Sequence, residues 1–392
     1  MTSTLLVGGG LAAQRCVETL RREGDDSRIT LVCDEPQRPY DRPPLSKEAL
    51  SEPEVPDTSL RPEEWYEEHE VNLILGDPAT DLGTGSGTVW LASGAQHSAD
   101  RILLSTGSGA KMIPGFDAFT NSHVLRSYAD ARLLRDALTP GSKLAIIGAG
   151  FIGLEVAATA RKLGVEVTII EAEDIPLRGL LGQELGTWLA EWHRSEGVDL
   201  RCGTGVAGLV GDRTAEALVL SDGTELPLDH FLVAVGAAPN TQWLASSGLN
   251  IENGVKCTST GQTEAAGIWA AGDMACHWDE RLGRHHRTEH WEAAAAEGRA
   301  AARDMLGLDP KPGPMSSFWS DMYGTRIQHL GHSAETDRLE VDGDPTTLDF
   351  QGVWFNGETP TAAIAVGRPR AIPALRKLFA TPENITTPKN EV

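Results

Sequence analysis

Two short apolar runs, Thr4 to Val7 and Leu144 to Ile147, each end in glycine and then give way to a stretch with helical periodicity. An apolar run of that length bounded by glycine reads as a buried strand, and the amphipathic stretch behind it as a helix. Each helix leads to a second apolar run that ends in an acid: Ile29-Thr-Leu-Val-Cys-Asp34 and Val167-Thr-Ile-Ile-Glu171. The pattern predicts two βαβ units with parallel strands.

Other segments read less regularly. A proline-rich loop (Pro36 to Pro44) is followed by a short helix, by hairpin segments around a turn at Gly83 to Gly87, and by the apolar run beginning at Arg101. A polar helix is predicted from Asp130 to Leu138, and a turn at Ser221-Asp222-Gly223 between strand-like runs. The runs beginning at Phe231 and at Gly267 read as strands returning to the first domain. Thr288 to Leu306, rich in alanine with Glu292 and Arg299 expected on its exposed side, predicts a helix that stops at Gly307. Pro310 to Pro314 reads as a linker, Asn356-Gly357 as a hairpin turn, and Pro373 to Phe379 as a short basic helix.

The junctions carry the chemistry. Gly8-Gly9-Gly10-Leu11-Ala12-Ala13 and Gly148-Ala149-Gly150-Phe151-Ile152-Gly153 stand where strand passes into helix. The first glycine permits the tight turn, the second lets backbone N–H groups approach a pyrophosphate, and the third position must be small where helix packs on strand. Ala13 fills the third position in one copy and Gly153 in the other. The helix N-terminus offers free N–H groups and partial positive charge to phosphate, while Asp34 and Glu171 can accept hydrogen bonds from a ribose. Two such copies predict an α/β chain with two Rossmann-like dinucleotide-binding domains and a small α+β C-terminal domain.

Composition narrows the partners. The 392 residues are 40 % hydrophobic and 23 % charged, too many for one core. The net charge of −22 argues against nucleic acid or an anionic membrane surface as a ligand. Met1-Thr-Ser-Thr lacks a basic or apolar leader and no run reaches transmembrane length, so a cytoplasmic location is expected. The five cysteines (Cys16, Cys33, Cys202, Cys257, Cys276) are scattered without C-x-x-C spacing, which gives neither a local redox disulfide nor a recognisable zinc or iron–sulfur set. They read as small buried hydrophobes. Cys276 stands out only because it follows Asp273 closely.

Together these landmarks resemble the FAD-dependent pyridine-nucleotide oxidoreductases with a glutathione-reductase-like fold, specifically the ferredoxin reductases that serve Rieske-type dioxygenases and cytochromes P-450. The most specific stretch is Pro39-Tyr-Asp-Arg42-Pro-Pro-Leu-Ser-Lys47, similar to that family's flavin-facing loop and shared by apoptosis-inducing factor. The disulfide reductases of the wider superfamily carry a cysteine pair there. Ser105-Thr106-Gly107, Ala271-Gly272-Asp273, Glu289-His290-Trp291 and Phe318-Trp319-Ser320-Asp321 match as well.

The resemblance implies a first domain, residues 1–110 with 236–312, whose Gly8, Gly10, Ala12 and Ala13 hold the FAD pyrophosphate and whose Asp34 holds the adenosine ribose. It implies Asp273 on the ribityl chain, Arg42 toward FAD phosphate, Arg126 also reaching FAD, Ala79 meeting adenine through its backbone, and Thr106, Gly107, Gly272 and His290 in the same site. The helix beginning near Trp291 would aim its N-terminus at the flavin, and Trp291 and Trp319 would line it. Residues 111–235 would bind NADH through Gly148, Gly150, Phe151, Ile152, Gly153 and Glu171, with Gly236 just beyond them as a further cofactor contact, and residues 313–392 would form the C-terminal domain. Glu171, with Glu173 and Asp174 behind it, favours NADH over NADPH by repelling a 2′-phosphate. Glu289 is expected at the nicotinamide amide or as a helix cap.

In the same family a lysine lies beside the flavin and pairs with a glutamate two residues beyond the NAD fingerprint, here Lys47 and Glu155. Such a pair would orient the ammonium and favour reduced flavin. The implied reaction passes a hydride from NADH to FAD and then single electrons to a separate [2Fe–2S] ferredoxin, docking near the basic cluster Arg368, Arg370, Arg376 and Lys377, with the enzyme a monomer or homodimer. An NADH oxidase or diaphorase acting on oxygen or quinones, and an NADH-sensing flavoprotein like apoptosis-inducing factor, are the alternatives. Dependence on added ferredoxin separates them.

Overall fold

Both predicted βαβ units form. The structure, a computed structural model, describes residues 2–280, 283–310 and 315–379, so most of the linker expected at Pro310 to Pro314 lies outside the described residues. The chain divides into two compact units, residues 1–41 with 57–109 and 238–316, and residues 42–56 with 110–237 and 317–392.

In the first unit the Ser3–Val7 strand is central to a five-stranded sheet. It pairs in parallel with Arg28–Val32 on one side and Arg101–Leu104 on the other, and Val71–Ile74 and Ile268–Ala270 extend the two edges. The chain leaves this strand in one direction and later returns on its other side, which makes its C-terminal end the topological switch point where ligands bind in open α/β sheets. Leu5, Leu6, Ile29, Leu31, Leu103 and Leu104 are at most 1 % exposed. These uninterrupted apolar runs fit a sheet covered on both faces. One cover is the Leu11–Arg22 helix, and the Trp291–Met305 helix packs in the same core. That second helix starts three residues later than the sequence indicates, and its Glu292 and Arg299 are partly buried rather than exposed.

The second unit repeats the plan. Lys143–Ile147 lies between Glu166–Ile170 and His230–Val233, all parallel, with Asp199–Arg201 and Ser122–His123 outside them. One expectation is corrected here. The strand containing Phe231 does not return to the first sheet but pairs with Lys143–Ile147, where Phe231 is fully buried. An apolar run signals burial and leaves open which sheet buries it.

The C-terminal part of this unit is a five-stranded antiparallel sheet in the order Ser317–Met322, Thr325–Gly331, Thr359–Val366, Asp349–Asn356, Arg338–Asp344. The expected Asn356-Gly357 turn joins two of these strands, and the short helix runs from Ile372 to Leu378. The bent Arg178–Ser195 helix packs Trp188 against Phe350, and the Trp188 indole N–H donates to the Pro345 carbonyl at 2.8 Å. No helix among the described residues is long and apolar enough to cross a membrane.

Candidate functional site

The first cradle is shaped by what its glycines exclude. Gly8 has φ +113°, and a Cβ there would stand 2.2 Å from the Ser105 carbonyl oxygen, so the turn admits no side chain. A Cβ on Gly10 would meet no protein atom within 4 Å, which leaves the N-terminus of the Leu11–Arg22 helix open for a phosphate. Ala12 and Ala13 are buried. Over Ala12 the second helix approaches so closely that a Cβ on Gly298 would lie 2.1 Å from the Ala12 carbonyl oxygen.

The other expected residues of the first unit are held as follows. Asp34 is exposed just beyond the second strand, its Oδ1 accepting from the Glu35 N–H at 3.0 Å. Gly272 lies beside Ala12, and its N–H donates to Glu297 Oε2 at 2.7 Å. Asp273 Oδ2 accepts from Ser108 Oγ at 2.8 Å, and Thr106 Oγ1 donates to the Asn240 carbonyl at 2.7 Å, beside Gly107. Ala79 opens an antiparallel strand and packs against the core that contains Val7 and Val32. His290 caps the long helix, with burial pulling its pKa down. The Trp291 indole N–H donates to Asp41 Oδ1 at 2.6 Å, and Glu289 is ion-paired with Arg287.

The second cradle follows the same rules. Gly148 has φ +103° and would place a Cβ 2.5 Å from the Ala234 carbonyl oxygen, whereas a Cβ on Gly150 would find its nearest neighbour at 3.9 Å. At the third position, a Cβ on Gly153 would stand 2.3 Å from the Gly148 carbonyl oxygen, so helix and turn touch through bare backbone. Glu171 folds back onto this turn, its Oε2 accepting from the Ala149 N–H at 2.7 Å and its Oε1 from the Glu173 N–H at 2.9 Å.

A cavity of about 400 Å³ opens here, lined by Gly150, Glu171, Glu173, Leu177, Arg178 and Glu335 among others. Its donor and acceptor set fits the adenosine half of a dinucleotide, with carboxylates where a ribose diol would lie. Arg178, the one cation among the lining residues, is ion-paired to Asp174 at 2.5 Å and bonded to Gln183 at 2.8 Å. Phe151 packs edge-on against Phe318, Ile152 is 44 % exposed, and Gly236, at φ +103°, accepts through its carbonyl from the Lys111 N–H at 2.9 Å.

Five further expected residues, and the basic cluster, belong to this second unit. Arg42 Nη1 donates to the Arg126 carbonyl at 2.6 Å. Trp319 lies on the Ser317–Met322 strand with the Arg326 guanidinium 6.0 Å from its ring centre. Lys47 Nζ stands 2.6 Å from Glu155 Oε2, with side chains 16 % and 6 % exposed. The basic cluster divides. Arg368 is ion-paired with Asp342 and Asp349, and Arg376 bonds Ser317 Oγ at 3.4 Å, whereas Arg370 and Lys377 are exposed.

Sequence reasoning passed over Glu335, Glu297, Ser46 and Ser320. The two serines lie inside motifs already singled out, so the motif was visible and the task of the hydroxyl was not. All five cysteines are free thiols, and burial pushes the thiols of Cys16 and Cys33 up to about 12 and that of Cys276 upward.

Residues 2–298 match the family described as pyridine nucleotide-disulphide oxidoreductase, and residues 317–389 match the reductase C-terminal family. The benzene 1,2-dioxygenase system ferredoxin–NAD(+) reductase subunit of Pseudomonas putida is 37 % identical over 328 residues, covering 83 % of this chain and 80 % of that protein. The anthranilate 1,2-dioxygenase system ferredoxin–NAD(+) reductase component of Burkholderia cepacia is 34 % identical over 379 residues, covering 96 % and 93 %. Among solved structures, the covalent putidaredoxin reductase–putidaredoxin complex matches with a TM-score of 0.92 at 30 % identity, covering 96 % of this chain and 93 % of that one. Matched along nearly its whole length, the chain belongs to the pyridine nucleotide-disulphide oxidoreductase family, a membership that implies FAD and NAD(H) as its cofactors.

Proposed function

We propose that this protein is an NADH-dependent ferredoxin reductase that binds FAD in its first cradle and NADH in its second, and reduces a separate [2Fe–2S] ferredoxin that serves an oxygenase. The observation that carries this reading is one cradle geometry built twice, in a chain whose relatives are named as ferredoxin reductases of dioxygenase systems. When bound, FAD accepts electrons in pairs from the reduced nicotinamide and releases them one at a time.

The chain's own residues bind and orient. In the first unit the helix N-terminus at Gly10 and Leu11 offers N–H groups to the pyrophosphate, Asp34 accepts from a ribose, and Asp273, braced by Ser108, accepts from the ribityl hydroxyls. The N-terminus of the Trp291–Met305 helix supplies partial positive charge. In the second unit Glu171, fixed by two backbone N–H groups, accepts from the NADH ribose, and Glu173 beside it disfavours a 2′-phosphate. Lys47, held by Glu155, is the cation that acts on the flavin, with Arg42 serving the FAD phosphate and Arg126 a further contact to FAD. Residues 1–110 and 236–312 would form the FAD-binding domain, 111–235 the NADH-binding domain and 313–392 the C-terminal domain.

Arg370 and Lys377, with Arg376 beside them, are the proposed ferredoxin contact. Because exposed charges are screened beyond about 8 Å at physiological salt, a local basic patch can attract an acidic partner despite the acidic total. The deciding experiment is a visible spectrum of the purified protein, anaerobic addition of NADH, and cytochrome c reduction with and without candidate [2Fe–2S] ferredoxins. A yellow protein that NADH bleaches, with cytochrome c reduction that depends on ferredoxin, is expected. A colourless protein, or equal rates without ferredoxin, would overturn the proposal.

A further inference from the structure

Three donors converge on one buried carboxylate. Glu155 Oε2 accepts from Lys47 Nζ at 2.6 Å and from Ser46 Oγ at 2.5 Å, and Oε1 accepts from Ser320 Oγ at 2.6 Å. Glu155, Ser46 and Ser320 are 5 %, 2 % and 1 % exposed. They come from different parts of the second unit: the Phe151–Lys162 helix, the Pro43–Ser46 turn and the Ser317–Met322 strand. One helical turn beyond Glu155, Thr159 Oγ1 donates to the Ser46 carbonyl at 2.8 Å, so one helix face grips the Pro43–Ser46 turn twice.

The ammonium is equally confined. An ammonium has three N–H donors, and Lys47 directs them at Glu155 Oε2, at Ser46 Oγ (3.1 Å) and at the Pro43 carbonyl (3.1 Å). A lysine is a point charge on a flexible four-carbon stem and does not fix its own position. A carboxylate held by lysine alone could turn about its last bond and exchange its two oxygens. Here Ser320 takes one oxygen, and Ser46 shares the other with the ammonium.

We propose that Ser46 and Ser320 are positioning residues that clamp the Glu155 carboxylate from both edges and through it fix the Lys47 ammonium. This rests on the reading of Lys47 as the cation that serves bound FAD. Ser320 belongs to the C-terminal sheet, so the clamp gives that sheet a part in the chemistry, and its four side chains act as one unit whose substitutions do not add.

The test compares Ser320→Ala and Ser320→Cys with the parent in the full-length protein as purified, the cysteine variant keeping the shape but offering only a weak donor. NADH-dependent flavin reduction should lose roughly tenfold in kcat, with KM for NADH within about twofold, because a fixed charge is displaced while the NADH cradle is untouched. Trace acetylation of Lys47 by acetic anhydride, read by peptide mass spectrometry, should rise severalfold as the ammonium is released. In a Glu155→Gln background, Ser320→Ala should alter neither quantity by more than about twofold. Wild-type acetylation of Lys47 in the folded serine variants, or an undiminished effect of Ser320→Ala in the Glu155→Gln background, would overturn the clamp. A parent protein that binds no FAD would instead overturn the proposed function, while the acetylation comparison would still decide the clamp.

Discussion

Behind the first cradle stands a second helix. Gly298 brings the Trp291–Met305 helix against the backbone of Ala12, and Glu297, one residue earlier, accepts from the Gly272 N–H and lies 3.2 Å from His277. Behind the second cradle, the corresponding face of the Phe151–Lys162 helix carries Glu155 and its converging donors. The motif is the same, but one copy is backed by close backbone packing and the other by a charged cluster. Damage to the first should therefore cost the fold together with its ligand. Damage to the second should cost chemistry and leave the fold.

The largest effect should come from Gly298→Val. The new side chain must displace the Ala12 backbone, and overpacking of this kind costs roughly 3 kcal/mol or more when backbone has to move. The expected result is a lowered melting temperature and loss of flavin absorbance per protein. Gly10→Ala sharpens the contrast, since its Cβ meets no protein atom. It should weaken FAD binding, measured by flavin fluorescence titration, while the melting temperature of the apoprotein stays put. Equal melting losses in both variants would erase the distinction.

Next in size is Lys47→Ala in the second unit. Removing one preorganised charge slows such a step on the order of a hundredfold, and stopped-flow absorbance should show that loss with FAD still bound. An unchanged rate would reject the role given to Lys47.

Two buried histidines, one in each unit, should also respond to pH in opposite directions. Burial holds His193 of the second unit down, from 6.5 to about 4, as a neutral ring bonded to the Tyr323 hydroxyl at 2.8 Å. The unfolded chain takes up that proton near 6.5 and the folded one only near 4, so His193 lowers stability as pH falls through this window. For His277 of the first unit, burial alone would expel the proton, but the Glu297 carboxylate beside it wins and the value rises well above 6.5. Its contribution is complete below 6.5 and is lost as pH rises through the raised value. Melting curves should show His193→Gln flattening the acid limb and His277→Gln the alkaline limb, each by a few degrees. The converse assignment would count against the local environments described.

The smallest effect concerns the partner. Reversing Arg370 and Lys377 to glutamate should raise the KM for ferredoxin a fewfold, more at low salt, because rim charges act mainly through association rate. NADH reduction of the flavin should not change. Identical ferredoxin kinetics would discard this face, whereas reversing Arg368 as well should add little, because Asp342 and Asp349 already neutralise it.

Both cradles were legible in the sequence because each is local: strand, glycine turn and helix follow one another, and backbone sterics at Gly8 and Gly148 act within a few residues. Burial was legible in the same way for Cys16, Cys33, Cys257 and Cys276, whereas Cys202, read alike, is only partly buried. Tertiary structure decided what depends on segments distant in the chain. It placed the Phe231 strand in the second sheet, set Glu335 in the lining of the second cavity, and brought Ser46 and Ser320 to Glu155. It also made Gly298, which propensity counts only as a cost inside a helix, a place where one helix meets the backbone of another with no room for a side chain. Hydrophobic pattern records that a residue is buried, and only packing in three dimensions decides against what.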